Sequence, residues 1–370
     1  MASPDVLSAR TLNRTLLARQ MLLRRTRLAP IAAVDRLVGM QAQVPRDPYV
    51  ALWSRVDGFD PATLSRAIAR RRAVRMPLFR ATLHLVSASD ALVLRPVIGP
   101  VLDRSLYQGS PFGRRLAGLD VDDLVAIATA LLEERPRTRA ELAPLLSERW
   151  PDHDGPSLAY AVTYLLPLVQ TTPRGEWERT GPAAFTTVPH WLGRPLATST
   201  YPDDMVLRYL AVFGPALPAD VQSWSGLAGA REILERLRPR LRTFRDERGR
   251  ELFDAPRARL ADPDVPAPVR FLPEYDNVLL GHDDRSRIVG DGVPVFTDVG
   301  WGSVLVDGWP AARWRMYPEP GRALLRIERF RPLSRTERAD AVEEGGRLLM
   351  LLAPGVRHET RIVTAESAAR

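Results

Sequence analysis

The chain has 370 residues, 45% hydrophobic and 26% charged, a globular composition long enough for roughly two to four domains. It contains no cysteine, and its five histidines (His84, His153, His190, His282 and His358) lack HExxH or HxxxH spacing, so disulfides, thiolate catalysis and cysteine-ligated zinc are excluded and neither a metal nor a cofactor is expected. All 52 basic residues are arginine against 44 acids, a net +8, and without lysine no P-loop or Schiff-base lysine can exist.

The charge is uneven. Residues 1–80 hold 15 Arg against 5 Asp and no Glu, whereas the rest of the chain is close to balanced. A cationic front end is the footprint of a surface that faces phosphates. No segment approaches the roughly eighteen apolar residues that span a membrane. The N-terminus lacks the apolar core of a signal peptide. An intracellular, cytoplasmic protein is expected, and a monomer.

In chain order, a unit of helices followed by a hairpin recurs three times. In the first, the pattern predicts helices over 12–25, 31–38, 49–56 and 62–70, with Pro30, Pro48 and Pro61 in first turns, then strands over 73–76 and 82–86. In the second, helices are predicted over 121–132, 139–149 and 158–166. Thr138 with Glu141 forms a capping box, Ser157 is the cap of the last helix, and strands follow over 168–172 and 176–179. The third has helices from Met205 to Phe213, near Pro218 to Trp224, and over 228–237. Strands at 241–244 and 251–253 then flank the turn Asp246-Glu247-Arg248-Gly249. Helices followed by a hairpin describe a winged helix, a helix-turn-helix variant. After the proline-rich stretch 262–268, short strands are expected at 269–272, 287–289, 293–296, 303–306, 311–316 and 323–330, with a helix over 334–352. The expected fold class is α+β: tandem winged helices at 1–100, 101–200 and 201–262, then a small β-barrel with a C-terminal helix at 263–370.

The run Gly39 to Pro48 stands out. Pro45 and Pro48 push Val44 and Asp47 out of the helical region, so the run is extended or in turns. In an extended chain Gln41 and Gln43 point together and Ala42 turns inward. Two neutral carboxamides offer acceptors and donors that can hold a water or a sugar with developing charge. The blander account is a pair of polar loop residues. Phosphate-binding candidates are Arg24, Arg25, Arg27, Arg46, Arg55, Arg70, Arg71, Arg72, Arg75 and Arg80. The best cluster is Arg70-Arg71-Arg72, at a predicted helix end. Thr82, His84, Asp276 and Asn277 are cleft candidates.

Four segments resemble the AlkZ-like DNA glycosylases: Leu37 to Tyr49 with Ala51 to Arg55, Arg80 to Val86, Asp220 to Leu227, and Leu272 to Asn277. That family carries a glutamine–apolar–glutamine motif in its first winged helix, matched by Gln41-Ala42-Gln43. The related YcaQ-type group has Asp at the second polar position. The resemblance implies catalytic roles for Gln41 and Gln43. It also implies hydrolysis of N7-alkylated purines from double-stranded DNA, including bulky natural-product adducts and interstrand crosslinks, in repair or self-resistance. The absence of lysine separately predicts a monofunctional enzyme that leaves the abasic strand intact, barring use of the N-terminal amine. The alternative is a non-catalytic winged-helix regulator, which composition and repeats accommodate equally.

Overall fold

Residues 5–290 and 299–365 are described in this computed structural model. In the first unit, helices Ala9–Arg19, Pro30–Arg36, Asp47–Arg55 and Pro61–Ala69 precede the antiparallel strands Ala73–Pro77 and Leu83–Ser87. Their starts follow from local chemistry. Ser8 and Asp60 accept hydrogen bonds from Thr11 and Ala62 backbone N–H groups, and prolines occupy first turns where no donor is needed. A two-residue strand, Met40–Gln41, pairs with the outer edge of Leu83–Ser87.

A 20-residue helix, Ala88–Tyr107, leads into the second unit and has no counterpart in the sequence reading. Pro96 and Pro100 lie inside it, each removing a backbone hydrogen bond, and such residues read as breakers. Burial of Leu92, Leu94, Ile98 and Leu102 carries the helix through them. Helices Val121–Glu134, Arg139–Arg149 and Gly155–Leu165 follow. The Thr138–Glu141 capping box is present. The last helix, however, is capped by Asp154, whose carboxylate accepts from the Ser157 N–H, so Ser157 lies inside the first turn. Strand Leu168–Gln170 pairs with Ala184–Thr187; residues 176–179, expected as a strand, are turn and loop.

The hairpins of these two units join in one six-stranded sheet. Its order is Met40–Gln41, Leu83–Ser87, Ala73–Pro77, Leu168–Gln170, Ala184–Thr187, Arg137–Thr138. The third unit has helices Asp203–Phe213, Pro218–Ser225 and Ala230–Leu237, then hairpin Arg242–Asp246 and Glu251–Asp254, to which Val6–Leu7 adds a parallel strand.

The C-terminal region is an open sheet, which corrects the expected β-barrel. Its order is Arg270–Leu272, Gly302–Val306, Trp309–Glu319, Arg322–Arg329, Arg357–Thr364, and among the described residues its two outer strands do not pair with each other. The terminal strand, absent from the sequence reading, runs parallel to its neighbour, so the chain must cross over, and helix Arg335–Leu352 makes that crossing. One face of the sheet packs on this helix through Phe271, Leu325, Ile327, Leu348 and Leu349. Residues 285–287 form a 3₁₀ turn where a strand over 287–289 was expected. The expected strand 293–296 lies outside the described residues.

The largest core mixes Leu16, Leu37, Met76 and Phe79 with Tyr209, Phe213, Trp224 and Leu272, so the first unit packs against the third and the start of the C-terminal sheet. Among the described residues no helix is long and apolar enough to cross a membrane.

Candidate active site

The Gly39–Gln43 segment is fixed at several points. Gly39 has φ +86°, and a Cβ there would meet Val86 Cγ1 at 2.7 Å, so only glycine allows the turn into the strand. Asn277 holds the next residues like an extra strand. Its Nδ2 donates to the Gly39 carbonyl at 2.7 Å, and its Oδ1 accepts from the Gln41 N–H at 3.3 Å. Gln41 pairs with His84 across the sheet, and the Ala42 N–H donates to the Leu83 carbonyl at 2.8 Å. The Ala42 carbonyl, between the two glutamines, accepts from Arg75 Nη2 at 2.6 Å.

The two carboxamides differ. Gln41 is 7% exposed, and its Oε1 accepts from Arg80 Nη2 at 2.8 Å. Arg80 also donates to the Trp224 carbonyl at 2.7 Å and sits at φ 53°, followed by Ala81 at φ 56°. Gln43 is exposed, and its Oε1 accepts from the Leu83 N–H at 3.3 Å. It opens onto a cavity between the first two units that Leu83 and Gln170 also line. Ala42 is fully buried, as expected.

Arg75 is nearly enclosed, with Nη1 donating to Gln170 Oε1 at 2.7 Å. Burial lowers it to about 10, still cationic at neutral pH. Gly175 (φ +96°) makes room for it, since a Cβ there would lie 2.7 Å from Arg75 Cδ; the Gly175 carbonyl accepts from the Tyr49 hydroxyl at 2.8 Å. A buried carboxyl, Asp47, and a half-buried one, Glu274, lie alongside. Asp47, the first residue of helix Asp47–Arg55, is pushed up to about 7 by burial and then by the Glu274 carboxylate. Asp47 Oδ2 and Glu274 Oε1 are buried without a hydrogen-bond partner.

Several candidates belong to the interior. Arg55 is fully buried and donates two hydrogen bonds to Asp276, at 2.8 and 2.7 Å, so neither residue is open to a phosphate or a cleft. Arg75, too, points at internal acceptors. These three expectations are corrected for one reason: a buried charge is kept only when it is paired or hydrogen-bonded, and these are. His84 is 2% exposed, with Nδ1 3.0 Å from the Thr82 carbonyl; burial, reinforced by Arg80, lowers it to about 3, so it is neutral at physiological pH. Thr82 is half-buried, and its hydroxyl donates to the Phe79 carbonyl. Arg46, Arg70, Arg71 and Arg72 are exposed; Arg46 lies 5.4 Å over the Trp177 ring and Arg71 4.0 Å over the Trp191 ring. Arg24, Arg27 and Arg36, with half-buried Arg25, line a recess of ≈ 500 Å³.

The structure therefore brings Gln41, Arg80, His84 and Asn277 together, with Gln43 beside them, and leaves Arg70–Arg72 elsewhere on the surface. Sequence reading missed Gln170, whose one signal was a polar residue ending an apolar strand. It also missed the Asp47–Glu274 pair, which lies far apart in sequence. Among the described residues no cluster of three or more His, Cys, Asp or Glu could hold a metal ion.

Comparison with known proteins places the chain in a class of DNA-repair glycosylases of mixed α+β fold. It belongs to the family described as DNA glycosylase AlkZ-like, whose model matches residues 34–351. Its fold is similar to that of the solved Streptomyces sahachiroi DNA glycosylase AlkZ, with 22% identity and a TM-score of 0.72 over 97% of this chain and 100% of that one. No curated protein matches the sequence.

Proposed function

We propose that the protein is a monofunctional DNA glycosylase that hydrolyses the N-glycosidic bond of N7-alkylated purines in duplex DNA, with Gln41 and Gln43 as its catalytic residues. Alkylation at N7 makes the purine cationic and a ready leaving group. Little acid catalysis is then needed, and the transition state is oxocarbenium-like. What remains is to place water at the anomeric carbon and to face the spreading charge with fixed dipoles. The observation that carries this reading is the anchored loop. Arg75, Arg80 and Asn277 hold four different atoms of it while Gln43 stays open to solvent.

The two roles divide by environment. Gln43 has access to both water and sugar, and its carbonyl has a second lone pair for them. Gln41 cannot flip its amide without losing Arg80, so it presents one fixed face. A cation on its oxygen makes it the poorer partner for a positive sugar and the better fixed support for the water. The buried, neutral His84 backs this segment rather than shuttling protons. Duplex DNA is bound by the exposed arginines of the first unit. We read the three helix-and-hairpin units as winged helices at 1–100, 101–200 and 201–262, ahead of the open sheet at 263–370.

Bulky N7 adducts and interstrand crosslinks fall within the same chemistry, because severing one purine from its sugar unhooks a crosslink. Repair of such lesions would serve self-resistance. The reading is tested with a duplex carrying one N7-methylguanine. After incubation, strand breaks should appear at the lesion only when the DNA is heated in base. No breaks would refute the activity, and breaks without heating would refute the monofunctional assignment.

A further inference from the structure

The cavity onto which Gln43 opens has a volume of ≈ 220 Å³ and lies on the seam between the first two units. Its far wall is aromatic and braced by side-chain contacts. The Tyr160 and Tyr164 hydroxyls are 3.1 Å apart; Tyr160 stacks on Phe112 at 4.0 Å and is covered by the Arg139 guanidinium at 4.9 Å. Gln170, 8% exposed, lines it as well. Its Oε1 is committed to Arg75, which fixes the amide's orientation and leaves Nε2 with no hydrogen bond inside the described protein. A carboxamide with free donors thus shares this cavity with an aromatic wall and with Gln43, the mix of apolar surface and a few placed polar groups that binding pockets have.

Size and charge select the occupant. The volume lies below the roughly 300–1,000 Å³ of pockets for drug-sized ligands, so it fits one small ring system. A bound N7-alkylpurine is a cation, and Arg139 would repel it. A neutral aromatic ring attached to that purine meets no such penalty. It gains the tyrosine wall and the Gln170 donors.

We infer that this cavity is a specificity subsite for a neutral aromatic ring carried on the N7 substituent of the adducted purine, with Gln170 donating to an acceptor on that group. This rests on the glycosylase reading above. Such a ring is tethered to the leaving base, within reach of a cavity that shares Gln43 with the reaction. Thr163, on helix Gly155–Leu165, and Ala183, just before strand Ala184–Thr187, also line the space, and larger side chains at either position would fill it.

The test measures single-turnover base release by the full-length protein from two duplexes, one with N7-methylguanine and one with N7-benzylguanine. Thr163→Trp and Ala183→Phe should each slow release of the benzyl adduct about tenfold or more, the scale set by closing off a hydrophobic pocket. Release of N7-methylguanine should stay within about twofold of wild type, which also certifies folding. Unchanged rates on both substrates would overturn the subsite. Equal losses on both would overturn it too, since the space would then serve the base or the loop rather than the substituent. Wild-type protein inactive on both substrates would refute the glycosylase reading itself, and the subsite with it.

Discussion

Arg80 grips the side chain of Gln41, while Arg75 grips the backbone between Gln41 and Gln43. Removing either should act through the glutamines rather than through DNA affinity. Arg80→Ala should lower the rate of base release, and combining it with Gln41→Ala should cost far less than the product of the two single effects, because both variants disable one group. Full additivity would separate Arg80 from Gln41. Asp47 supplies a second residue-scale test. Its carboxyl rises from the usual 3.8 to about 7 in the folded protein. Between those values the unfolded chain releases the proton and the folded one keeps it, so this group costs stability as pH rises from about 4 to about 7, and the cost is constant above that. Asp47→Asn removes the titration. Its melting temperature should gain on wild type through that window and then hold a constant lead; a lead that shrinks with rising pH would contradict the assignment. The motif itself was legible because its prolines and glutamines are local signals. Whether an arginine points inward is not local, which is why Arg55 and Arg75 read as phosphate ligands.

Helix Asp47–Arg55 is bolted to strand Arg270–Leu272 by the Ser54 hydroxyl, which donates to the Phe271 carbonyl, and to the chain after that strand by the enclosed Arg55–Asp276 pair. Asp276 also caps helix Asn277–Leu280, the element that carries Asn277 to Gly39 and Gln41. Asp276→Ala strands a buried cation and should cost about 3–5 kcal/mol in a denaturant titration. Replacing both partners by apolar residues, Arg55→Met with Asp276→Leu, should recover much of that loss. If the double variant is no better than the single, the stranded charge is not the cause. At this scale, caps and amphipathic helices were readable from neighbouring residues. Helix Ala88–Tyr107 was not, since its two prolines oppose a burial pattern that only tertiary packing supplies. Strand Arg357–Thr364 was missed because its partner is parallel and lies across an 18-residue helix.

Across the whole molecule, the cationic front end is partly an internal zipper. Arg10 and Arg14 pair with Asp307, Arg19 with Asp254, Arg25 with Glu344 and Arg55 with Asp276. Part of the excess read from residues 1–80 is thus neutralised by acids from the last third of the chain, which is how opposite ends are held together. The exposed remainder includes Arg24, Arg27, Arg36, Arg46 and Arg70–Arg72. Charge reversal to Glu at Arg24, Arg27 and Arg36, or at Arg70–Arg72, should weaken duplex binding and flatten its salt dependence by about 0.9 in log–log slope for each phosphate no longer neutralised. The same reversal at Arg335, Arg338 and Arg357 should do neither. Equal losses from both regions would refute the assignment of the DNA-binding face. The closed barrel expected from alternating strands and glycine turns failed at this scale, because closure depends on which edges meet and no short-range pattern encodes that.

On the proposed mechanism, two neutral amides, set by fixed neighbours, suffice to release a purine already primed to leave. Its most direct test is the single-turnover rate of free N7-methylguanine release at saturating protein, for wild type, Gln41→Ala and Gln43→Ala, with duplex affinity measured in parallel. Release should fall on the order of 10²-fold or more in each variant, the scale of losing a positioned catalytic group, while affinity is nearly unchanged. Release at the wild-type rate in both variants would contradict it.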